Sequence, residues 1–242
     1  MITLPVTGEP GRAITLNPSK IIAVGLNYRE HVKESLTFGA KSLDEPKEPV
    51  LFAKTPNVLI GSGEYIVIPR LIDDYGFEEP RTDPEGELAV IIGKGGRHIR
   101  EEDALDHVLG YTCFNDVSQR NIQKSDPSGW FRGKSFDTFG PAGPAAALRD
   151  SIDPGKLGIR TRINGRIVQS GNTRDMIFPV PRLIAYISKQ FTLEPGDLIA
   201  TGTPAGISPV KPGDTVEVEI EGIGILRNPV IGEPGGGRAP LP

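Results

Sequence analysis

Cysteine and tryptophan occur once each in this chain, as Cys113 and Trp130, and histidine only three times. A single cysteine closes no disulfide within the chain. Long apolar runs are missing as well: IIAVGL and LAVIIG are about six residues each, against the roughly 20 that a membrane-spanning helix needs. There is no excess of positive charge either. The formal net charge is −4 and the basic residues are scattered, so the electrostatic footprint of a nucleic-acid-binding protein is absent. The first residues, MITLPVTGEPGR, have neither the charged start nor the apolar stretch of a signal peptide. Nucleic acid and membrane are therefore not expected partners, and a cytoplasmic setting is expected.

Turn residues are plentiful: 30 glycines and 23 prolines in 242 residues, below the share of about 25–30% that signals disorder. With 37% hydrophobic residues, the chain can bury one sizeable core. The expected fold is mainly β with a few short helices. Residues 1–19, broken by Pro and Gly, predict an extension or edge strand at most. KIIAVGLNY, VLFAKTP and YIVIPR read as strands, and REHVKESL as helix. AKSLDEPKEP has the composition of a mobile loop, and 73–84, DDYGFEEPRTDP, is acidic and irregular. HIREEDALDHVLG predicts a helix of about two to three turns that stops at Gly110, followed by the strand YTCFNDVS. The segment SQRNIQKSDPSGWFRGKSFDTFGPAGP supports neither helix nor strand. Beyond it, the "NG" of RTRINGRIVQ signals a hairpin. PVPRLIAYISKQFTL predicts an amphipathic helix with Leu183, Ile184, Ile187 and Phe191 on one face. Three strands follow in DLIATGTP, TVEVEIEG and IGILRNPV, and 231–242 reads as a flexible tail.

The stretch EGELAVIIG begins with two carboxylates that alternate like strand residues, so Glu85 and Glu87 share a face while Gly86 and Leu88 point away. Two carboxylates this close repel unless a positive charge lies between them. Asp116, at the end of YTCFNDV, offers a third oxygen ligand. An oxygen-only set suits Mg²⁺, Mn²⁺ or Ca²⁺ and leaves coordination positions open; an exposed acidic sheet face fits the same spacing. His31 and Glu34 stand at i and i+3, so on a helix the acid can orient the imidazole as a base, or the two form a solvated surface pair. Lys134 can neutralise a developing enolate or be one more surface lysine. The stretch TGTPAG (201–206) can hold a carboxylate or simply make a turn.

In order along the chain, GLNYREHVKE, PVLFAKTPN, EGELAVIIG, GYTCFNDVSQRNIQ, FRGKSFDTFGPAGP, INGRIVQSGNTRDMIF and LEPGDLIATGTPAGI together resemble the fumarylacetoacetate hydrolase family. The resemblance spans roughly residues 20–230 as one catalytic domain. It implies the family's mixed β-roll around a barrel-like core, usually as a homodimer. It also implies Glu85, Glu87 and Asp116 as metal ligands, with His31, Glu34 and Lys134 as catalytic residues and Tyr28, Arg120, Gln123 and Thr203 as substrate-binding ones. The large animal hydrolase carries a further metal-binding aspartate where this chain has Val24, so fumarylacetoacetate itself is not the expected substrate. The expected activity is metal-dependent chemistry on a small 2-oxo acid through an enolate. It would cleave the C3–C4 bond of an acylpyruvate or decarboxylate oxaloacetate, with isomerisation of an unsaturated oxo-dioate in aromatic catabolism as the alternative. A non-catalytic, metal-stabilised β domain that binds a carboxylate is the reading from another class.

Overall fold

A computed structural model describes residues 1–35, 45–127 and 130–234. Two short strands, β1 (Ile2–Pro5) and β2 (Ala13–Leu16), pair antiparallel, and Leu4 and Leu16 anchor them in the interior. The polar N-terminal stretch is thus a hairpin fastened by its few apolar side chains. Next come β3 (Ile21–Gly25), α1 (Arg29–Ser35), β4 (Val50–Lys54), β5 (Leu59–Ile60), β6 (Ile66–Ile68), α2 (Leu71–Asp74), β7 (Thr82–Asp83) and β8 (Gly86–Ile92). The first half of the loop expected in AKSLDEPKEP lies outside the described residues, and 45–49 form neither helix nor strand. A 3₁₀ segment (Glu101–His107) leads to β9 (Val108–Asn115), β10 (Ser118–Gln119), α3 (Arg120–Ser125), α4 (Phe131–Lys134) and β11 (Gly140–Leu148). The last part of the described chain holds β12 (Gly158–Ile163), β13 (Arg166–Asn172), α5 (Val180–Gln190), β14 (Leu198–Ala200), β15 (Thr215–Ile220) and β16 (Gly224–Gly232).

Two sheets dominate, and the protein is mostly β with few helices. One runs β4-β3-β14-β8-β9-β11-β5 and the other β13-β12-β15-β16-β6. Strand β15 shows the one-sided pattern, with Val216, Val218 and Ile220 buried and Thr215, Glu217 and Glu219 half-buried. Central strand β8 is buried on both faces, as its apolar run demands. Leu88, Val90 and Ile92 enter a core shared with α5 and the second sheet, whereas Ala89 and Ile91 enter a core shared with the N-terminal hairpin. Glu85 and Glu87 therefore continue the stripe of Ala89 and Ile91. The hairpin at "NG" forms as expected, with Asn164 and Gly165 both at positive φ (51° and 79°).

The structure departs from the sequence reading in four places. The expected helix before Gly110 is a 3₁₀ segment, and the strand begins at Val108 because Ile92 and Ile91 pair with Val108 and Gly110. Gly110 does not stop a helix; a Cβ there would run into the carbonyl of Ala147 on β11. The irregular-looking segment after Asp116 contains α3 and α4, each too short for a helical period to show in sequence. On α5, Leu183, Ile184 and Ile187 are buried, but Phe191 lies just beyond the helix and is 44% exposed. Ile231 and Gly232, placed in the expected tail, belong to β16, paired with Val67 and Ile68 on β6, and the part of that tail past 234 lies outside the described residues. Among the described residues no helix is long and apolar enough to cross a membrane.

Two outcomes follow from this packing. Leu183→Ala should lower unfolding free energy by about 2–5 kcal/mol in urea titrations, and Phe191→Ala by less than about 1 kcal/mol. Burial pushes the Cys113 thiol up to about 12, so it should resist a thiol reagent at pH 8 until the protein is unfolded.

Candidate active and metal site

Strand pairing explains why three acids meet. Glu87 lies opposite Phe114, so Asp116, two residues further on, falls level with Glu85 and donates its backbone N–H to the Glu85 carbonyl at 2.9 Å. All three carboxylates are buried, and each offers an oxygen within 4.8 Å of the other two. Gly86 between the two glutamates must be glycine: a Cβ there would collide with Thr161 and press on Val218 across the core.

Cations from four segments converge on this cluster. Lys134, at the end of α4, donates to Glu85 Oε2 at 2.7 Å and to Asp116 Oδ2 at 2.5 Å. Lys54, at the end of β4, donates to Asp116 Oδ1 at 2.6 Å. Arg120, the first residue of α3, donates to Glu85 Oε1, to Gln123 Oε1 at 3.0 Å, and to Asp83 at 2.7 Å. Arg81 reaches the same buried Asp83 at 2.8 Å. Among the described residues Glu87 has no such cation; its Oε2 accepts the N–H of Gly202 at 2.8 Å.

The electrostatics differ accordingly. Burial works to raise the Glu85 pKa, but Arg120 and Lys134 outweigh it and hold that carboxyl well below the usual range. At Glu87 burial, Asp116 and Glu85 act together and push the pKa well up. Burial also opposes charge on both lysines; Asp116 and Glu85 overcome it at Lys134, which is raised, and fail to at Lys54, which is lowered. A hard divalent cation fits this set: the donors are all oxygens, and the Glu87 carboxyl has no cation of its own among the described residues. These residues do not fit a soft metal, which calls for sulfur or imidazole ligands.

The three carboxylates line a cavity of about 490 Å³ together with His31, Arg120, Gln123, Lys134 and Thr203. His31 Nδ1 lies 3.1 Å from Glu34 Oε2, and both Glu34 oxygens accept the N–H of Gly206. That arrangement fixes the ring and ties α1 to the TGTPAG turn. Thr203 is placed through its hydroxyl, which donates to Gly86 O and accepts from Gln169. Its hydroxyl hydrogen is thus committed to the protein. Tyr28 is not among the lining residues. Among the described residues its buried phenol has no hydrogen-bond partner, and burial followed by the charges of Glu87 and Asp175 raises its pKa far above the usual value. Trp130 covers part of the wall edge-on to Phe52, lying so close over Gly25 that a Cβ there would enter the indole. His107 is occupied with the Lys94 carbonyl, outside the cavity.

Lys54, Asp83 and Gln169 were not singled out by sequence. Lys54 ends an apolar strand before Thr-Pro, where a lysine usually marks a wet edge, and Asp83 is one acid among many in 73–84. Gln169 is fully buried in β13. It accepts from Gly86 N at 3.0 Å and donates to Thr203 Oγ1 and Pro204 O at 2.7 Å each, joining the acid pair to the TGTPAG turn. Only its place two residues before the conspicuous GNT could have drawn attention.

Similar proteins narrow the setting. A family model described as fumarylacetoacetate (FAA) hydrolase C-terminal matches residues 20–231. A mitochondrial oxaloacetate tautomerase of Xenopus laevis is 46% identical over 224 residues, 89% of this chain and 66% of that protein. A 2-hydroxyhepta-2,4-diene-1,7-dioate isomerase from Mycobacterium marinum superposes with a TM-score of 0.78 at 38% identity, covering 93% of this chain and 82% of the other. A maleylpyruvate hydrolase from Sphingobium, solved with manganese(II) and pyruvate, gives a TM-score of 0.73 at 34% identity, covering 89% and 71%.

The two glutamates should respond oppositely to neutralisation when metal is removed with EDTA. Glu85→Gln strips a partner from both Arg120 and Lys134 and should cost about 3 kcal/mol. Glu87→Gln keeps the acceptor for Gly202 and replaces a carboxyl whose ionisation burial, Asp116 and Glu85 oppose, so the melting temperature should hold or rise.

Proposed function

The chain belongs to the fumarylacetoacetate hydrolase family, and from that premise we propose that it is a divalent-cation-dependent enzyme that forms the enolate of a small 2-oxo acid, with proton exchange at C3 as its central step. The observation that carries this reading is a single cavity faced by an oriented base, His31, an ammonium, Lys134, and three clustered carboxylates. Glu85, Glu87 and Asp116 would hold Mg²⁺ or Mn²⁺, and Ca²⁺ is compatible with the same oxygens. When bound, the cation supplies Lewis-acid stabilisation of negative charge on the substrate's 2-oxo oxygen.

The chain's own residues divide the remaining work. Glu34 keeps the proton of the His31 pair on Nδ1, leaving Nε2 as the base for a C3 proton. The electron pair of the C3–H bond moves to the C2–O bond as the proton leaves. Lys134, held by Glu85 and Asp116, places positive charge where the enolate oxygen develops. Arg120 and Gln123 offer N–H groups along the wall, while Phe52 and Trp130 keep water from one side. With oxaloacetate, return of the proton to oxygen gives the enol, the reaction named for the Xenopus relative. The second reading is breakage of the C3–C4 bond, by hydrolysis of an acylpyruvate or by loss of CO₂. The His31–Glu34 pair favours it, since an oriented imidazole can activate water as readily as it takes a proton. A homodimer belongs to the same reading, and sedimentation would test it.

Oxaloacetate and acetylpyruvate with Mg²⁺, Mn²⁺ or EDTA separate these outcomes. Proton exchange predicts catalysed deuterium uptake at C3 of oxaloacetate in D₂O without pyruvate release; C3–C4 cleavage predicts pyruvate. His31→Ala should lower either rate by roughly 10²–10⁴-fold. Activity that survives EDTA or Glu85→Ala would sink the proposal.

A further inference from the structure

Lys54 is the buried cation that this mechanism leaves without a task. Its side chain is fully enclosed and it does not line the cavity. The nitrogen donates to Asp116 Oδ1 at 2.6 Å, to Val117 O at 3.3 Å and to the carbonyl of Lys134. Three acceptors use all three hydrogens of an ammonium. They belong to two segments, the chain leaving β9 and the last residue of α4. The last carbonyl of a short helix has no intrahelical partner, so the bond from Lys54 satisfies the Lys134 carbonyl and tethers the backbone of α4, beside the side-chain bonds of Lys134 to Glu85 and Asp116.

We infer that Lys54 is a positioning residue: it holds the candidate metal ligand Asp116 and the backbone of Lys134 in fixed relation, and cation affinity depends on it although it touches neither cation nor substrate. The inference rests on reading Glu85, Glu87 and Asp116 as the cation site. Simple electrostatics argues the other way. An ammonium 2.6 Å from a ligand oxygen repels an incoming cation, so its removal by charge alone would tighten binding. Positioning requires removal to weaken it, because Asp116 loses the partner that fixes its rotamer and α4 loses its tether.

Calorimetric titration with MnCl₂ of the wild type, Lys54→Met and Lys54→Arg decides between them, at a temperature where near-UV circular dichroism shows each protein folded. Both variants should bind one Mn²⁺ some 10–100-fold more weakly than wild type. Arginine keeps the charge, but its planar fork does not direct donors as the three hydrogens of one ammonium nitrogen do. At saturating Mn²⁺, kcat on oxaloacetate should remain at least tenfold down with KM little changed, because Lys134 is displaced. Wild-type or tighter Mn²⁺ affinity in Lys54→Met overturns the inference, as does wild-type affinity in Lys54→Arg. Should Lys54→Met not fold, the arginine variant carries the test alone. A wild type that binds no Mn²⁺ would instead remove the reading of the three carboxylates, which is a separate failure.

Discussion

Everything around the cavity follows from burying four carboxylates, Asp83, Glu85, Glu87 and Asp116, beside one end of a largely apolar sheet. Water no longer solvates them, and each needs charge or hydrogen bonds in exchange. The chain answers with Lys54 from β4, Lys134 from α4, Arg120 from α3 and Arg81 from just before β7. That demand is why the stretch after Asp116, with α3 and α4, folds down on the sheet instead of looping into solvent. Four cations face four acids, but their direct contacts fall on Asp83, Glu85 and Asp116, and among the described residues Glu87 has none. The imbalance of contacts is local and directional, as a cation site would require.

The site also shows how ligands and roof are joined. Gln169 spans from the backbone between the two glutamates to the turn at Thr203 and Pro204, and Glu34 spans from α1 to the same turn at Gly206. A displacement of the turn would thus reach both the acid pair and the histidine. Glu79, Arg81 and Lys124 border the same cavity, and Glu79 and Lys124 are exposed.

The sequence made the frame of the molecule legible because its signals were local. Alternation placed Glu85 and Glu87 on one face, "NG" marked the β12–β13 hairpin, and apolar spacing marked α5. What it concealed was set by distant partners. Gly110 looked like a helix stop, yet its lack of a side chain serves the approach of β11. Nothing near Lys54 announces that the acceptor for its nitrogen is 62 residues away, and nothing in an acidic run separates Asp83 from its exposed neighbours. The family resemblance supplied positions for Tyr28 and Thr203, but only coordinates show that one lies off the cavity wall and that the other has spent its hydroxyl hydrogen on Gly86.

Trp130 has a last consequence. It is the only tryptophan in the chain, and it lies edge-on to Phe52 over Gly25 on the wall that also holds Lys134 and the acids. The intrinsic indole emission of the whole protein therefore originates at the cavity, with no second fluorophore of its kind to dilute it. The molecule carries a built-in optical reporter, and a paramagnetic ion or an enolising ligand arriving beside that ring has a spectrum of its own in which to be seen.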